Sequence, residues 1–152
     1  MNPLTLFRTV AVAEALTWAF LLTAMFFKYV TRSTEALVPP AGGIHGFVFL
    51  CFVATTVFVW INSKWSWRTG VLGLVSAVVP FATIPFELMV QRRGMLSGPW
   101  RLRPGGETPG NRVETLQAWV LRSPVLAAVL AVVGIGVVFT LLLIAGPPVA
   151  AG

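Results

Sequence analysis

Charge is what this sequence has least of. Only 11% of its residues are Asp, Glu, Lys or Arg, against roughly a quarter in an ordinary soluble domain, so a water-exposed surface could not be covered with polar groups. The single cysteine, Cys51, lies inside an apolar run and excludes both an internal disulfide and a CxxC metal pair. The single histidine, His45, excludes two-histidine haem ligation within the chain. There is no G-x-S-x-G, no P-loop, no H-E-x-x-H and no C-x-x-C-H. With so few polar groups, these absences point away from an enzyme. No internal repeat is present, and no resident cofactor is expected.

What is abundant is hydrophobic: 57% of the 152 residues, gathered into four runs. A helix rises about 1.5 Å per residue, so about 20 apolar residues cross a hydrocarbon core of about 30 Å. The first run covers residues 9–29 between Arg8 and the pair Lys28 and Arg32. It exceeds the h-region of a signal peptide, carries Glu14 and lacks an A-x-A exit, so it reads as a retained helix. The second, residues 43–61, follows the breaker sequence VPPAGG and ends among Trp60, Trp65 and Trp67, as an aromatic belt would. The third, residues 69–90, contains Pro80 and Pro85, which membrane helices tolerate as kinks. The fourth, residues 125–145, carries no charge.

Between the last two runs, residues 98–106 are too rich in Pro and Gly for regular structure. Residues 111–121 place Val113, Leu116 and Val120 at helical spacing, with Glu114 three residues after Asn111 as in a cap. The expected architecture is therefore an all-α membrane protein with four transmembrane helices and a short amphipathic helix lying on the membrane surface. It divides into a three-helix membrane domain (1–93), a basic Pro/Gly-rich loop (94–122), and a C-terminal helix and tail (123–152). With four crossings, the termini and second loop hold Arg8, Lys64 and Arg68. The first and third loops hold Lys28, Arg32, Arg92, Arg93, Arg101, Arg103, Arg112 and Arg122. The positive-inside tendency then puts those two loops in the cytoplasm and both termini outside.

An ionisable group at membrane depth is costly, and so is a functional candidate. Alternating crossings bring Lys28, His45 and Glu87 to one face, where they are expected to cluster. Glu14 lies 14 residues before Lys28, roughly 21 Å along the helix, on the same side. The leading reading of this network is an ion pair with a hydrogen-bonded histidine holding three helices in register. A proton or cation relay through His45 and a metal site are sharper alternatives, the latter short of ligands. Gly73, Ser76 and Thr83 line one face of the third run with Pro80 and Glu87, and Ala127, Ala131 and Gly134 line one face of the fourth. Such small-residue faces pack against other helices. Trp100, Arg101, Arg103 and Arg112 make the third loop a candidate for docking on lipid or on a partner. The net charge of +6 sits at the ends of apolar runs, suiting anionic headgroups better than nucleic acid.

The stretches AEALTW at 13–18, FKY at 27–29, GIHG at 43–46 and PF at 80–81, with Glu87 after them, together resemble a bacterial family of small integral membrane proteins called DUF3817. The resemblance covers roughly residues 7–93, and its most specific element is His45-Gly46 after a Pro/Gly-rich loop. This chain departs from the pattern at Ala82, where the family has glycine, and in carrying Pro85. The resemblance implies a membrane fold and brings no activity with it.

The sequence thus suggests a non-catalytic accessory or scaffold subunit of a larger complex in a bacterial plasma membrane, a respiratory assembly being one conceivable host. Its partners would be lipids and other membrane subunits. The alternative is a small homo-oligomeric transporter or ion-handling protein built on Glu14, His45 and Glu87. A third reading is a lipid-binding or redox membrane protein that borrows a neighbour's cofactor.

Overall fold

The structure, a computed structural model, describes residues 2–145 and contains six helices and no strands among them. Gly146-Pro147-Pro148, where the fourth run is expected to end, and the tail after it lie outside the described residues. Helix α1 (Pro3–Tyr29) starts where the Asn2 side chain accepts a hydrogen bond from the Thr5 amide at 2.7 Å, with Pro3 just inside the helix. Helix α2 (Val38–Asn62) runs back antiparallel beside it. The matching pairs are Thr17 with His45, and Phe7 with Phe52. These two helices and α6 (Pro124–Ala145) are long and apolar enough to cross a membrane.

The third expected span is instead two short helices, α3 (Trp67–Val78) and α4 (Thr83–Arg92). Their 12 and 10 residues rise only about 18 and 15 Å, so neither bridges a bilayer. The break is local. Val79 turns extended, Pro80 supplies no amide hydrogen, and Phe81 takes a left-handed φ of 63°. The chain doubles back there rather than kinking onward. Both ends of this hairpin consequently lie at the N-terminal end of α1: Trp65, just before α3, donates its indole N–H to the carbonyl of Met95, just after α4, at 3.2 Å. Four long crossings are therefore not what the fold contains.

Large apolar side chains gain nothing by leaving lipid for a protein interior, so membrane helices associate through close packing. Helix α3 follows that logic. Gly70, Gly73, Ser76 and Ala77 are buried against α2 and α4, while Trp67, Val71, Leu72, Val75 and Val78 face outward. Helix α4 turns Thr83, Phe86, Glu87 and Val90 inward. At the shared end, Phe7 packs against Phe52, Trp65 and Phe86 with ring centroids 5.5, 5.8 and 6.0 Å away. The expected amphipathic helix is present as α5 (Arg112–Arg122), its N-terminus capped by the Asn111 side chain accepting from the Glu114 amide at 2.9 Å. Of the small residues on α6, Ala127 is buried, whereas Ala131 and Gly134 are exposed with no neighbour beside Gly134.

Candidate functional site

The polar residues at depth form a file along one face of α1, bounded by α4 and α2. At its outer end the Arg8 guanidinium donates from Nε to Glu87 Oε1 at 3.0 Å and also bonds Gln91 Oε1. Glu87 is 3% exposed, so Arg8 neutralises a carboxylate that water barely reaches. One turn deeper, the Thr83 hydroxyl lies within reach of two acceptors, the Ala11 carbonyl at 3.1 Å and Glu14 Oε2 at 3.0 Å. Glu14 and Thr83 are both fully buried, and Glu14 Oε1 has no hydrogen-bond partner. Deeper again, Thr17 donates to the Glu14 carbonyl at 2.9 Å and meets His45 Nδ1 at 3.1 Å. The Trp18 ring lies 4.4 Å from the imidazole and its indole N–H reaches the Ala77 carbonyl at 3.3 Å.

The spacing explains the register. Arg8, Ala11 and Glu14 follow at three residues on α1, and Gln91, Glu87 and Thr83 at four on α4, so two antiparallel helices present matched rows. This arrangement corrects the expected cluster of Lys28, His45 and Glu87. Because α4 folds back, Glu87 ends beside Arg8, at the opposite end of α1 from Lys28. Lys28 pairs instead with Glu35 in the α1–α2 connection at 3.3 Å. His45 is reached through Thr17, and Glu14, expected to stand apart, sits between the two. Arg8, Thr17 and Gln91 were not expected as site members. Their signal was the row of polar residues on α4, visible only once α4 is taken as antiparallel to α1.

The third loop holds a second polar centre. Arg101 donates to the carbonyls of Asn62 at 2.9 Å and Ile61 at 3.3 Å, two of the last carbonyls of α2, where helical partners run out. Its backbone amide reaches Asn62 Oδ1 at 2.9 Å, and its guanidinium meets Glu107 at 3.0 Å and Glu114 at 2.5 Å. The positive charge closes the negative end of the helix dipole. Burial disfavours that charge, but the bonds to Glu114 and Glu107 outweigh it and raise the Arg101 pKa above its ordinary value. The backbone amide of Gly110 and then Arg101 hold the Glu114 carboxyl below the usual range, and Arg101 and Lys64 do the same for Glu107. Residues 101–107 close so tightly that a Cβ on Gly106 would stand 2.2 Å from the Arg101 carbonyl oxygen. Arg101, expected on a docking surface, is thus a cap whose side chain is 12% exposed. Trp100 packs on Phe58 at 5.3 Å, while Arg103 and Arg112 remain exposed.

No group of three His, Cys, Asp or Glu suited to a metal ion occurs among the described residues. The file has the chemistry of internal hydrogen bonding: one neutralised carboxylate, one carboxylate with a free oxygen, two hydroxyls and an imidazole.

Comparison with known proteins places this geometry in a family. The profile described as "Domain of unknown function (DUF3817)" matches residues 4–92, more than half of the chain, and takes in α1 to α4. A protein of Streptomyces coelicolor whose name describes a membrane protein is 44% identical over 94 residues, which is 61% of this chain. The matched part is only 11% of that relative's own length. No solved structure matches. With three long apolar helices and this relative, the chain is a multi-pass membrane protein.

Proposed function

The chain belongs to the DUF3817 family, and we propose that it is a non-catalytic accessory or scaffold subunit of a larger complex in a bacterial plasma membrane. The observation that carries this reading is where the buried polar groups are spent. Arg8 with Glu87, Thr83 with the Ala11 carbonyl, Trp18 with the Ala77 carbonyl and Gln117 with the Phe58 carbonyl each join separate helices. Such bonds build a rigid frame and leave little for chemistry. The relative supports it too, since there the matched segment is a small portion of a much longer chain, as an attached membrane module is.

In this reading α1, α2 and α6 cross the membrane, and the α3–α4 hairpin enters and leaves on one side. The basic residues favour the N-terminal side as cytoplasmic. Arg8, Lys64, Arg68, Arg92, Arg93, Arg101, Arg103, Arg112 and Arg122 gather there, against Lys28 and Arg32 at the other end. This reverses α1 and α2 relative to the orientation expected from four crossings and keeps the third loop cytoplasmic, because the hairpin moves the second loop to the side of the third.

One observation favours a second reading, a proton- or cation-handling homo-oligomer: Glu14 Oε1 is buried without a partner at the centre of the file. One experiment separates the two. Mild detergent extraction through an N-terminal tag, followed by mass measurement, is expected to recover stoichiometric heterologous membrane subunits, with Glu14→Gln leaving that assembly intact. A clean homo-oligomer whose pH-driven cation flux in vesicles is lost in Glu14→Gln would replace the accessory reading with the second.

A further inference from the structure

We propose that the outer face of α4 binds an anionic phospholipid, its headgroup held by Arg92 and Arg93 and one acyl chain lying along Pro85, Leu88 and Met89. The five residues line a groove of about 340 Å³. Its floor is apolar and its rim carries two adjacent, exposed guanidinium groups at the helix end where the chain leaves the hairpin. That is the order of groups along a phospholipid: acyl chain at depth, phosphate at the surface.

The charge inventory says that the counter-ion comes from outside the chain. There are five acidic residues in all. Glu87 is taken by Arg8, Glu35 by Lys28, Glu107 and Glu114 by Arg101 with Lys64, and Glu14 is sealed in the bundle against Thr83. Among the described residues no carboxylate is left for Arg92 or Arg93. Arg103 and Arg112 are exposed as well, but neither borders this apolar groove. Arginine suits the role because its planar fork donates two hydrogen bonds to a phosphate at once. The site is independent of the accessory reading, since it asks only that α4 meet lipid.

Native mass spectrometry of the full chain in neutral detergent, titrated with phosphatidylglycerol or phosphatidylcholine of the same acyl chains, tests it. The wild type is expected to retain phosphatidylglycerol about twenty-five-fold better, a factor of about five for each arginine. Arg92→Gln with Arg93→Gln removes that preference, whereas Arg103→Gln with Arg112→Gln keeps it. Leu88→Trp fills the groove without touching the charges, and is expected to weaken phosphatidylglycerol binding while leaving the thermal transition in place. Retention of the preference in the Arg92/Arg93 variant overturns the proposal. So does an equal loss in the Arg103/Arg112 variant, which would mean a diffuse basic surface. Inorganic phosphate displacing the lipid at equal concentration would reduce the site to a phosphate site and overturn the acyl-chain assignment.

Discussion

Arg8→Ala is expected to destabilise the protein by about 3 kcal/mol, the low end of the range for breaking a buried ion pair. The asymmetry of exposure sets both the size and the bound. Glu87 is 3% exposed and would be left as a buried, uncompensated carboxylate. The Arg8 side chain is 46% exposed, so water already screens part of the attraction. Gln91 would lose its partner as well. Unfolding of the purified protein in detergent, followed by circular dichroism, measures the effect. Adding Glu87→Gln to Arg8→Ala should recover most of the loss, because the stranded charge is gone. An Arg8→Ala variant as stable as the wild type would mean that this pair does not hold α4 to α1.

The second large effect is expected at Gly70, where α3 crosses the end of α2. A Cβ built there would stand 2.1 Å from the Trp60 indole ring. The ring has little room to yield, since its N–H donates to the Trp65 carbonyl at 2.9 Å. Gly70→Ala therefore forces apart the helix pair or breaks that bond, at about 3 kcal/mol, the upper end of ordinary overpacking. Gly134→Ala is the control. Nothing lies within 4 Å of its Cβ position, so the change should be neutral or gain up to about 1 kcal/mol of helix propensity. Equal stabilities for the two variants in the same unfolding assay would contradict the close approach of α3 to α2.

The contrast between these two glycines also marks what could be read from the sequence. Length and hydropathy were sufficient for α1, α2 and α6, because a span must satisfy its own backbone and so must be a long apolar helix. The cap at Asn111 and the helix α5 were likewise local patterns. The third run misled because a mostly apolar stretch of 22 residues is long enough to cross, and Pro80 is as compatible with a kink as with a reversal. What decides between them is non-local: Gln91, Glu87 and Thr83 find their acceptors and donors on α1 only when α4 runs back along it. The same misreading displaced Glu87 from Arg8 toward Lys28. Arg101 was misassigned for a different reason. Its partners, Ile61 and Asn62 on one side and Glu107 and Glu114 on the other, are brought together by a loop with no periodicity to read. The small residues of α3 were legible as a packing face. Those of α6 are exposed beyond Ala127.

Cysteine accessibility in sealed inverted and right-side-out vesicles addresses the hairpin most directly. In a Cys51→Ser background, single cysteines at Ser66 and Ser97 flank the α3–α4 pair, and one at Ser33 lies in the α1–α2 connection. A membrane-impermeant maleimide is expected to reach Ser66→Cys and Ser97→Cys from the same side, the cytoplasmic one, and Ser33→Cys only from the other. Labelling of positions 66 and 97 from opposite sides would show that residues 67–92 cross the bilayer, and the folded-back arrangement of α4 would be wrong.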